Sequence, residues 1–87
     1  MDDNTKALKA LRDRFAISQR EFAQWMGVPL RTYEDLESGR TPIREIHVRA
    51  AQMAALLIAE EKDEATKLPQ DLQDIVAKLH QEILFNA

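Results

Sequence analysis

The chain has 87 residues, no cysteine, 45% hydrophobic content and a formal net charge of −3 at pH 7. That length supports one domain with a modest core. The missing cysteines exclude disulfides, thiolate nucleophiles and sulfur-ligated metals, and the longest apolar run, Met53–Ala59, falls far short of the roughly 20 residues that span a bilayer.

The acid is unevenly spread. Residues 1–50 hold nine Lys/Arg against eight Asp/Glu, whereas residues 51–87 hold three against seven. Five arginines (Arg20, Arg31, Arg40, Arg44 and Arg49) fall between positions 20 and 49, and a polyanion responds to that local field more than to the total. The start, Met-Asp-Asp-Asn, lacks the basic residues of a secretory leader, which agrees with a cytoplasmic protein.

The first predicted helix covers residues 4–15. Asn4 or Thr5 caps it, and Ala7, Leu8, Leu11 and Phe15 form its apolar face. Arg12 lies beside that stripe, an unusual place for a charge. The second covers 19–26. Ser18 and Glu21 make a capping box, Phe22, Ala23 and Met26 face inward, and Gly27 ends the helix in a left-handed conformation. Trp25 lies off that face and is assigned a packing role. The third covers 29–38. Pro29 suits its first turn, Tyr33 and Leu36 point inward, Leu30, Arg31, Glu34 and Asp35 point outward, and Gly39 closes it.

Thr41 as N-cap and Pro42 at the first helical position predict a fourth helix from Pro42 to about Lys62. Ile43, Ile46, Ala50, Met53, Ala54 and Leu57 form its expected inner stripe. From Ala50 to Ala59 it is apolar on nearly every side, so it needs cover all round. Glu60–Lys67 reads as a charged connector, and Leu68-Pro69 as a break. A fifth helix, 70–85, carries a narrow seam of Leu72, Ile75, Val76, Leu79 and Ile83, too short to stand as an isolated coiled coil. Its natural cover is the apolar end of helix four, from the same chain or a partner's. A two-fold dimer through Leu57, Leu72, Ile75, Val76, Leu79 and Ile83 follows, with His80 at the seam's edge. His47 and His80 are too far apart for a local metal motif, and no nucleophile–base pair stands at a recognisable spacing. Neither an enzyme nor a cofactor is expected.

Two short helices around a Gly-containing turn frame a DNA-binding helix-turn-helix. Ser18-Gln19, Glu21 with Ala23, Gly27-Val28, Thr32 and Glu37 with Gly39, preceded by Leu8, Leu11 and Arg12, resemble the Cro/CI-type (Xre-like) regulators of phages and bacteria over about residues 5–58. The resemblance implies an all-α, five-helix, lambda-repressor-like domain: residues 1–58 as the helix-turn-helix core, and residues 59–87 as connector and dimerisation helix. It implies a largely buried ion pair between Arg12 and Glu37, and a Gln19 that contacts the DNA backbone and braces the reading helix.

Helix three would then enter the major groove. There Arg31 would read guanine, Leu30 would meet a thymine methyl, Asp35 would accept from cytosine, and Thr32 would touch a phosphate. Arg40 and Arg44 would clamp the backbone on either side. Relatives often carry Gln, Ser, Lys or Arg where this chain has Leu30, Glu34 and Asp35. The expected function is a dimeric repressor on double-stranded DNA with an inverted-repeat operator, possibly its own. The alternatives are an antitoxin-type protein with a toxin partner, a phage or mobile-element regulator such as one controlling an anti-CRISPR operon, and a protein-interaction module on the same scaffold.

Overall fold

The computed structural model describes residues 3–86. Met1 and Asp2, the first half of the acidic start, lie outside it, as does Ala87. The described residues form five α-helices and no strand: α1 (Asp3–Arg14), α2 (Gln19–Met26), α3 (Leu30–Ser38), α4 (Glu45–Lys62) and α5 (Gln70–Asn86), with a 3-10 turn at Ala65–Lys67. No described helix is long and apolar enough to cross a membrane.

The core forms where α1–α4 converge. Phe22 of α2, Tyr33 and Leu36 of α3 and Ile58 of α4 are its largest fully enclosed side chains. The Phe22 and Tyr33 rings sit 5.6 Å apart at a tilt of 46°, within the range where aromatic pairs add to area burial. At the end of α2, the Gly27 N–H donates to Gln24 O and the Val28 N–H to Ala23 O. With Gly27 at φ +78°, this is a Schellman closure. It turns the chain within three residues and sets α3 against α2.

Several local expectations need correction. Pro29 is the N-cap of α3 and not its first helical residue. Thr5 is buried inside α1, which already begins at Asp3. Only half of the capping box at α2 forms: Ser18 Oγ accepts from the Glu21 N–H at 3.0 Å, while the Glu21 carboxylate binds Trp25 Nε1 and Lys62 Nζ. The Lys62 contact fastens α2 to the end of α4, and the half-buried Trp25 packs on the core.

Helix α4 starts at Glu45, three residues later than Pro42 predicts. Its N-cap is Arg44, whose N–H donates to His47 Nδ1 at 2.9 Å. Its inner stripe is also rotated from the one expected. Ala51, Ala54, Ala55, Ile58 and Ala59 are buried, while Ile46, Met53 and Leu57 face solvent. The alanines let α4 approach its neighbours closely, and the larger side chains are left on the far side.

Of the charged connector, residues 60–62 complete α4, and Ala65–Lys67 form a docked turn. Arg14 Nε donates to Lys67 O at 2.6 Å and its Nη2 to Leu68 O at 3.1 Å. Gln73 Nε2 donates to Leu68 O and Thr66 O. Leu68 and Leu72 are both buried, so the start of α5 is pinned to the body. From Asp74 onward every described residue of α5 is exposed. The helix projects, and the molecule measures 46 × 22 × 18 Å.

Candidate nucleic-acid interface

Helix α3 is held from its inner side by one charged group. Glu37, buried near its C-terminus, accepts from Arg12 Nε at 3.0 Å, Arg12 Nη2 at 2.7 Å and Gln19 Nε2 at 3.1 Å. The third Arg12 nitrogen, Nη1, donates to Ile17 O at 3.0 Å. One bidentate fork thus ties α1 to α3, and the Gln19 amide ties the first turn of α2 to the same carboxylate.

Burial pushes the Glu37 carboxyl up, but the hydrogen bonds from Arg12 and Gln19 and the nearby Tyr33 hydroxyl outweigh it and hold it below its ordinary value. The hydrogen bond to Glu37 likewise raises Arg12, against the opposing effect of burial. Tyr33 is pushed well up, chiefly by burial and then by Glu37. Its hydroxyl has no well-formed hydrogen bond, though it lies close enough to the pair to feel its field.

The outer side of α3 carries a second, exposed charge group. Asp35 lies between Arg31, with Nε 3.4 Å away, and Arg40, with Nη1 3.5 Å away. Both arginine side chains are mostly exposed, and the Asp35 side chain is mostly covered. The carboxylate therefore gathers two guanidinium groups onto one face. Ser38 Oγ accepts weakly from the Arg40 N–H, and Asp35 O accepts from the Thr41 N–H at 3.1 Å. These bonds fix the turn that brings Arg40 back beside the helix. Asp35, the residue expected to accept from cytosine, thus has an arginine on either side of it.

Leu30 and Thr32 are half-buried in the first turns of α3, whose N-terminus has no side-chain cap. Arg44 is exposed at the start of α4. The expected DNA-binding residues thus fall into three settings: Gln19 inside the buried network, Leu30, Thr32 and the Arg31–Asp35–Arg40 group along α3, and Arg44 at the next helix start.

The residues expected at a dimer seam divide as well. Ile75, Val76, Leu79 and Ile83 are exposed along α5, and Leu57 is partly exposed on α4. Leu72 is only 7% exposed and belongs to the core of its own chain. Leu84 and Phe85 of α5 are also exposed, outside the expected seam, as are Ile46 and Met53 of α4, which were expected on its inner stripe. For Ile46 and Met53 the available signal was the excess of apolar residues around α4, more than one buried face can use. No family model, curated protein or solved structure matches the chain.

Proposed function

We propose that the protein is a DNA-binding transcriptional repressor that acts as a dimer on an inverted-repeat operator in the cytoplasm. One observation carries the reading: α3 is locked on its inner side by Glu37, and its outward Arg31 is joined by Arg40 from the turn that follows the helix. A rigid helix bearing paired guanidinium groups suits a duplex, because the helix fits the major groove and arginine binds both guanine edges and phosphates. The Cro/CI-type resemblance supports the same reading. Two-fold pairing would set two such helices about 34 Å apart.

The test is a fluorescence-anisotropy titration of the DNA upstream of the gene, and of a random duplex, across a range of salt concentrations. Binding should prefer the upstream DNA and weaken steeply with salt. Arg31→Ala should remove roughly 1–3 kcal/mol of discrimination at one base position, while Arg40→Ala should weaken all sequences alike and reduce the salt slope by about 1. Absence of salt-dependent binding to either duplex would end the proposal.

The exposed apolar side chains of α5, set among Asp71, Asp74 and Glu82, favour a second reading in which this helix also masks a small basic toxin. Co-purification of such a protein from the neighbouring gene would support it.

A further inference from the structure

One buried polar group has no settled partner. The Tyr33 side chain is fully enclosed, and among the described residues its hydroxyl makes no well-formed hydrogen bond. Enclosing a hydroxyl without a bond is costly, so a hydroxyl kept there needs a role that offsets the cost. Tyr33 stands four residues before Glu37 in α3, and that spacing puts both on one face of the helix. Burial and then Glu37 push the Tyr33 hydroxyl up, as expected of close neighbours.

The Glu37 carboxylate has room for another donor. Its two oxygens offer about four acceptor positions, and three are in use: Oε1 accepts from Arg12 Nη2 and Gln19 Nε2, and Oε2 from Arg12 Nε. The donors are not equally fixed. Arg12 is also anchored on Ile17 O. Gln19 is half-buried in the first turn of α2 and reaches Glu37 by the longest of the three bonds, 3.1 Å.

Resting on the DNA-binding reading above, we propose that Tyr33 is a positioning residue that holds a hydrogen bond in reserve. When the Gln19 amide turns out to a phosphate oxygen, the Tyr33 hydroxyl takes its place on Glu37. The carboxylate then keeps three donors, and α3 stays fixed while α2 engages the duplex backbone. A hydroxyl hydrogen rotates to suit its acceptor, so the exchange is a side-chain event that leaves the helices where they are.

The test is a double-mutant cycle of Gln19→Ala and Tyr33→Phe on the full chain, read by urea denaturation and by duplex anisotropy. Gln19→Ala imitates the released amide. In the wild-type background Tyr33→Phe should not lower the denaturation midpoint, because the hydroxyl is unbonded there; in the Gln19→Ala background it should lower it. Affinity should show the opposite pattern. Tyr33→Phe should weaken binding to the DNA upstream of the gene when Gln19 is present, and add little once Gln19 is gone. A purely structural hydroxyl would lower the midpoint alike in both backgrounds. That result, or an unchanged affinity of Tyr33→Phe, overturns the exchange and leaves the DNA reading standing. A wild type that binds neither duplex overturns both.

Discussion

The two ends of this chain meet solvent in opposite ways. The half built from α1–α3 hides a charge: Glu37 is buried in α3 and joined to α1 by Arg12 and to α2 by Gln19. The far half of α5 does the reverse, exposing Ile75, Val76, Leu79 and Ile83. A buried charge costs desolvation and is kept in place by partners within the chain, whereas an exposed apolar seam gains most from a partner outside it. The first region is built to be rigid alone, and the second is suited to association.

Removing the buried charge tests this contrast most severely. Glu37→Ala strands the Arg12 guanidinium and should cost roughly 3–5 kcal/mol, lowering the melting temperature by more than about 10 °C. Leu79→Asp changes a half-exposed side chain that the core does not use. At dilutions where any dimer has dissociated, it should leave the midpoint within a few degrees of wild type. Equal losses in thermal melts of both variants would erase the distinction between the two regions.

Acid probes the same group without changing its shape. The folded Glu37 carboxyl is held below its ordinary value, so its contribution is present above the unfolded pKa, near 4.3. It is lost as pH falls through the lower, folded value. Glu37→Gln should therefore flatten the loss of stability below about pH 4, measured by urea denaturation at a series of pH values. An unchanged slope would take the pair out of the acid response.

How far these features can be read from sequence depends on the interaction involved. The bounds of α2 follow from Ser18 and Gly27, because a cap and a left-handed stop are local chemistry. The partner of Arg12 came only through the family resemblance, since no spacing rule links positions 12 and 37. The phase of α4 was misread because an alanine-rich helix that is apolar on most sides gives no contrast to set its rotation. Ala51 and Ala55 are inside while Met53 and Ile46 are outside, contrary to a ranking by side-chain size. The docked connector escaped notice because Arg14 and Gln73 hold it through backbone carbonyls, which carry no side-chain signature. Pro42 signalled a helix start, but the histidine three residues after Arg44 supplied the acceptor that placed the start at Glu45.

A smaller effect separates recognition from scaffold on α3 itself. Asp35 gathers Arg31 and Arg40, yet its own charge repels phosphate. On the proposed DNA-binding role, Asp35→Asn keeps the shape and removes the repulsion, so it should raise affinity for any duplex at low salt while narrowing the preference for the DNA upstream of the gene. A drop in affinity for both duplexes in the anisotropy assay would instead mean that alignment of the two arginines outweighs the charge.

The smallest expected change lies at the joint between α1 and α2. Ala16 adopts φ +53°, a left-handed conformation that costs a non-glycine residue about 1–2 kcal/mol. The chain accepts this because the turn brings Ile17 O to within 3.0 Å of Arg12 Nη1, completing the fork's third contact. Ala16→Gly would relieve the backbone strain but add conformational freedom to the unfolded chain, worth roughly 0.4–1 kcal/mol in the opposite direction. The net effect should be a stabilisation of up to about 1 kcal/mol, visible as a small rise in the denaturation midpoint, with DNA affinity unchanged. A destabilised variant would mean that the Ala16 methyl makes packing contacts worth more than the strain, and that the rigidity of this half depends on the loop as well as on the charge it encloses.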